Sequence, residues 1–166
     1  TVTDNPATPD VTTLSLTATD TVAEGGKITY TATLTNKAGT DLVIKLSNGE
    51  TITIAAGSKE ASITVDAPSD DVYIDAEDLS VKVESTSGGD FEQLNVSSTA
   101  AVTKVTDTID TTTVTLTAGS TVTEAGQITY TATLTNPAQT PVNVTLSNGS
   151  VITIKAGEST GSVVVD

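Results

Sequence analysis

Carboxylates are almost the whole chemical repertoire of this chain: 21 aspartates and glutamates stand against seven lysines, with no arginine, histidine or cysteine in 166 residues. That inventory removes the imidazole general base, the thiolate nucleophile, the disulfide and the soft metal site. What remains suits hard cations, calcium above all, which takes about six to eight oxygen ligands from irregular loops. The formal charge of −14 repels phosphate backbones and anionic membrane surfaces, so nucleic acid is not an expected partner. Six acids fall between Asp66 and Asp78, namely Asp66, Asp70, Asp71, Asp75, Glu77 and Asp78, while Glu24, Asp107 and Asp110 stand far away in sequence. A shared site among them requires a fold that brings the three segments together. An adjacent pair such as Asp70 and Asp71 could in principle serve a glycosidase, but no substrate cleft is evident and no enzyme is expected.

The elements that must do the positioning are strands. Ile28, Tyr30, Ala32 and Leu34 alternate with Thr29, Thr31, Thr33 and Thr35, the pattern of a half-buried strand. The same alternation picks out Leu14/Leu16/Ala18, Leu42/Ile44/Leu46, Ile52/Ile54, Ala61/Ile63/Val65, Leu79/Val81/Val83 and Leu94/Val96/Ala100/Val102. Threonine dominates, and its β-branched side chain favours a pleated surface. Helical periodicity is absent. Asn48-Gly49 predicts a two-residue type I′ hairpin. Seven short strands separated by turn signals predict a two-sheet immunoglobulin-like β-sandwich. The core is expected to hold Leu16, Ile28, Tyr30, Leu34, Leu46, Ile54, Val65, Val81, Val83 and Leu94.

Strands that alternate in direction sort their loops onto two poles. The loop of Glu24, the Asn48-Gly49 hairpin, the 66–78 loop and the exit carrying Asp107 and Asp110 then share one pole. Like charges so gathered repel unless a cation joins them. Calcium is therefore expected there, on Glu24, Asp70, Asp71 and Asp107 with help from Asp75 and Asp110. Asp90 lies at the opposite pole, where Asp10 could meet it. Tyr73 sits inside the acidic loop, where its ring could pack that loop on the sandwich.

A shift of 100 positions aligns Thr12–Asp66 with Thr112–Asp166 without a gap, with 32 of 55 positions identical. The expected organisation is a preceding tail and linker at 1–10, with Val2-Thr3 matching Val102-Thr103, and a complete module at 11–105. A linker at 106–111 and an incomplete second module at 112–166 follow. With no methionine, a start residue included, the stretch is expected to belong to a longer array. No apolar run approaches the ~20 residues that span a bilayer. Asn95-Val-Ser, Asn143-Val-Thr and Asn148-Gly-Ser match a glycosylation pattern that such a Thr/Ser-rich composition produces by chance.

Thr21–Gly26 reads T-V-x-E-x-G, and it is followed by I-T-Y-T-A-T-L-T-N, L-S-N-G, I-T-I-x-A-G, A-P-x-D-D-V-Y and, at Val105–Asp110, V-T-D-T-I-D. This succession resembles the extender modules of large RTX-type, LapA-like biofilm adhesins, type I-secreted proteins of Gram-negative bacteria. The resemblance implies an extracellular tether of neighbouring repeats, rigidified by calcium, that holds a terminal binding domain away from the outer membrane. The pole geometry is also similar to that of cadherins, with Glu24, Asp70, Asp71 and Asp107 in the matching places, although the cadherin D-x-N-D-N linker and D-R-E loop are missing. Association with other copies through exposed strand edges is a further expectation. The alternative function is a carbohydrate- or protein-binding module, against which an aromatic content of 2% counts.

Overall fold

The computed structural model describes residues 8–166, so Val2 and Thr3 lie outside the described residues. The described residues form strands and no helix, gathered in two compact units. One comprises the chain up to Asp70 together with Asp75–Thr108, the other Asp71–Ile74 with Ile109–Asp166.

In the first unit the strands are β1 (Val11–Ala18), β2 (Thr21–Ala23), β3 (Lys27–Leu34), β4 (Leu42–Leu46), β5 (Thr51–Ile54), β6 (Glu60–Asp66), β7 (Leu79–Val81), β8 (Val83–Gly88), β9 (Gln93–Val96) and β10 (Ala101–Thr106). One sheet runs β6-β3-β1-β9; the other layer is formed by β5-β4-β8 and β2-β10-β7. Inward residues interleave as a sandwich core of Leu14, Leu16, Ile28, Tyr30, Ala32, Leu34, Leu42, Ile44, Leu46, Ile52, Ile54, Val81 and Ala101. Val65, Val83 and Leu94, expected inside, are only partly buried against it. Burial raises the Tyr30 phenol above its ordinary pKa, because the low-dielectric core disfavours phenolate.

The last strands depart from the alternation read in sequence. Val96 and Val102 are 41% and 50% exposed, whereas Ala101, Thr103 and Val105 point inward. Residues 97–100 leave the strand between β9, which pairs in parallel with β1, and β10, which pairs with β2 and β7. The chain changes sheets there, and its inward phase changes from even to odd numbers. Between β4 and β8 the register also jumps at Lys45/Leu46, a bulge that Glu84 occupies. The hairpin at Asn48-Gly49 is not type I′, which needs positive φ at both central residues. Only Gly49 has one, at 90°. Gly49 N–H donates to Leu46 O at 3.0 Å and Leu46 N–H to Glu50 O at 2.8 Å, which makes a three-residue loop ending in a left-handed glycine.

The second unit holds β11 (Val114–Ala118), β12 (Ile128–Leu134), β13 (Val142–Thr145), β14 (Val151–Ile154) and β15 (Thr160–Val165), in sheets β11-β12-β15 and β13-β14. Ala132, Ala138, Ile152 and Ile154 are its buried apolar residues. Its first turn carries Ala125 at φ 62°, where the first repeat has Gly25 at φ 69°.

Two stability changes follow. The Thr103 hydroxyl is fully buried with no hydrogen-bond partner among the described residues, so Thr103→Val should raise the unfolding free energy by about 1 kcal/mol. Ala125 sits in the left-handed region at a steric cost glycine escapes, so Ala125→Gly should gain about 0.5–1 kcal/mol. Urea denaturation of each variant beside the parent measures both; a loss in either case would contradict the corresponding reading.

Candidate metal centre

Glu24 reaches its place because β2 lies parallel to β10, with Thr21, Val22 and Ala23 opposite Lys104, Val105 and Thr106. Glu24 N–H then donates to Thr106 O at 3.0 Å, holding the start of its loop against the end of the exit strand. The 66–78 loop is tied to the same turn by Gly25 N–H to Pro68 O at 2.6 Å and Ala67 N–H to Gly26 O at 2.9 Å. Asp107 follows β10 directly. Its Oδ1 accepts the N–H groups of Asp75 at 3.3 Å and Ala76 at 3.0 Å, fastening the far end of the acidic loop to the exit.

These constraints bring one carboxylate oxygen each from Glu24, Asp75 and Asp107 to within 4.8 Å of one another. Glu24 is 8% exposed, Asp107 half-buried and Asp75 open to water. Calcium–oxygen distances of about 2.3–2.6 Å place two ligands of one ion up to about 5 Å apart, so the trio fits a single hard cation. The ion pairs Lys27–Asp66 and Lys45–Glu84 do not involve these carboxylates. Glu124, the counterpart in the second repeat, is exposed, and no strand pairs with residues 121–123 among the described residues.

The remaining acids of the expected set are arranged differently. Asp70 accepts a hydrogen bond from the Thr108 hydroxyl, a second tie between loop and exit. Asp71 accepts the N–H of Tyr73 at 2.7 Å in a local turn. Asp110 is exposed and does not join the trio. Tyr73 belongs with the second unit, where its hydroxyl donates to Pro137 O at 3.1 Å, rather than packing its loop on the first sandwich. At the opposite pole Asp10, Asp90 and Glu92 line one surface cavity, and Asp10 N–H donates to Glu92 Oε2 at 2.6 Å. Sequence reasoning missed Thr108 and treated Asp75 as an auxiliary, since nothing in a run of six acids marks which one a distant backbone will place.

The LapA domain model matches residues 10–108 and again 110–166, one match for each repeat. No curated protein matches the chain. No helix among the described residues is long and apolar enough to cross a membrane. The two matches span nearly every residue, and they carry an adhesin-related role at the cell surface. With its repeat and its immunoglobulin-like strands accounted for, the chain belongs to the LapA domain family of biofilm adhesins.

Proposed function

We propose that the chain is a run of extender modules in a secreted, outer-membrane-tethered bacterial adhesin, and that calcium at Glu24, Asp75 and Asp107 stiffens the exit of each complete module. The observation that carries this reading is a buried carboxylate, Glu24, with carboxylates from two distant chain segments within 4.8 Å of it at the point where the chain leaves the sandwich. A cation there joins the first turn, the 66–78 loop and the exit strand. Extracellular calcium modules bind at roughly 10⁻⁴–10⁻³ M, so the site fills in the medium and stays empty at cytosolic levels. A module of this kind leaves the cell pliable and stiffens outside it, which suits a spacer between neighbouring repeats.

The alternative, a carbohydrate- or protein-binding module, would draw on a cavity of about 420 Å³ lined by Ile28, Tyr30, Val65, Leu79 and Val81. Those walls are core side chains, and among the described residues no exposed aromatic lines the cavity. The spacer reading therefore leads, and a glycan array probed with the chain should show no specific hits.

Calcium at 100 times its dissociation constant should add about 2.7 kcal/mol, which raises the melting temperature of a domain this size by about 10–20 °C. Glu24→Gln with Asp75→Asn should abolish that increment. Small-angle scattering should also show a longer maximum dimension with calcium than with chelator. Identical melting and identical dimensions in the two conditions would refute the cation. Asp107→Ala should cost about 1–3 kcal/mol even in chelator, because two backbone N–H groups lose their acceptor. Asp75→Asn leaves those bonds in place and should lose only the calcium-dependent part.

A further inference from the structure

Asn48-Gly49 and Asn148-Gly149 stand at the same place in the two repeats, and the pair carries a chemistry that making a hairpin does not use. The carbon of an asparagine side-chain amide is an electrophile, and the main-chain nitrogen of the next residue can close an imide ring on it. Three features of these turns favour that closure. Glycine puts no side chain in the way, and nothing lies within 4 Å of the empty Cβ position at Gly49 or Gly149. Both asparagines are open to water. Their amide oxygens are also held by main-chain donors: Glu50 N–H reaches Asn48 Oδ1 at 3.1 Å, and Ser150 N–H reaches Asn148 Oδ1 at 3.0 Å. Each bond folds the side chain back over its own main chain and stands where negative charge grows on the oxygen as the carbon is attacked. One contact opposes the reaction, since Gly49 N–H and Gly149 N–H donate to Leu46 O and Leu146 O at 3.0 Å. A single loop hydrogen bond opens far more often than a module unfolds. Exposure alone does not select the site. Asn36, Asn95 and Asn143 are exposed too, but Lys37, Val96 and Val144 follow them, and a side chain on the attacking residue crowds its approach.

We propose that Asn48 and Asn148 are sites of spontaneous deamidation in the folded protein, a slow modification that adds one negative charge to the same turn of each repeat. In the first repeat the Gly49 nitrogen bonds to Asn48 Cγ, and its proton and the departing amide group leave together as ammonia. Water then opens the cyclic imide at either of its carbonyls. The balance is one water consumed and one ammonia released, with nothing oxidised or reduced; Gly149 and Asn148 react in the same way. The two products differ in their effect on the hairpin. An aspartate keeps the main chain as it was, and its carboxylate accepts Glu50 N–H more strongly than the amide did. An isoaspartate carries the main chain through the side chain and lengthens it by one carbon, which disturbs the Leu46–Glu50 closure and loosens the pairing of β4 with β5. Either product places its new charge beside a cavity that Asn48 already lines together with Glu50 and Asp66. The inference stands independently of the cation.

The test incubates the whole chain in mildly alkaline buffer and follows each asparagine by peptide mass spectrometry, with isoaspartate detected by enzymatic methylation of its free α-carboxylate. Conversion is expected at Asn48 and Asn148 at least about tenfold faster than at Asn36, Asn95 or Asn143. Urea separates the routes. Below the unfolding transition a reaction of the folded chain keeps its rate, whereas one that needs the unfolded chain accelerates in step with the unfolded fraction. Asn48→Gln lengthens the side chain and disfavours the ring, so it should silence the first site and leave Asn148 converting as before. Equal conversion at all of these asparagines would overturn the proposal, and so would a rate that follows the unfolded fraction.

Discussion

The pairing of β10 with β2 on one side and β7 on the other is the interaction on which the rest of the first module depends. It places Ala101, Thr103 and Val105 over the core, and it holds Glu24 N–H on Thr106 O at 3.0 Å. It also delivers Asp107 to the pole where the 66–78 loop can bind it. In the second repeat, among the described residues, residues 121–123 form no strand, Glu124 is exposed and Leu116 is half-exposed. A strand that closes the sandwich and a strand that assembles the acidic site are the same six residues of chain, about 20 Å at about 3.3 Å per residue.

Electrostatics explains why so acidic a protein keeps three carboxylates together. At close range in a partly desolvated site, mutual repulsion is costly, and the proposed divalent ion would convert it to attraction. Hydrogen bonds prepare the site in advance. Asp107 Oδ1 is occupied by two N–H donors, and the Thr108 hydroxyl holds Asp70, so loop and exit are already joined before any ion arrives. A cation bound there, as proposed, would add stability to a preorganised pole, where it would otherwise have to order a loose one. The rest of the charge lies on loops and outer faces, where solvent screens it and keeps a repetitive, threonine-rich chain soluble.

Tyr30 is the one fully buried aromatic of the core among the described residues, with Phe91 packed partly buried against it. Leucine, isoleucine and alanine fill the core, with Ala32 and Ala38 at contact points that larger side chains would force apart. Outer faces carry threonines whose hydroxyls turn back onto neighbouring strands, as Thr29 does to Thr64 at 3.0 Å. These cross-strand contacts hold the sheet's register without adding charge. Closure of the first module thus draws on strands from along its whole length.

The repeat, the all-β class, the inward faces of the strands from Leu14 to Val65 and the pole shared by Glu24, the 66–78 loop and Asp107 all follow from the sequence by itself. Period-two alternation is a local property of a strand half-buried against one sheet, and it can be read wherever the strand keeps one partner. The tertiary structure alone decided the phase of residues 94–105, because that segment changes sheets and its inward side depends on the new neighbour. It also decided the Asn48-Gly49 turn, where the closing pair Leu46–Glu50 leaves three residues to span rather than two. Among eight acids on two distant segments, six at 66–78 and two at the exit, it decided that Asp75 and Asp107 approach Glu24 while Asp70 turns to Thr108 and Asp71 to Tyr73. Charge and composition cannot make that choice. Two backbone N–H groups seeking an acceptor on Asp107 make it.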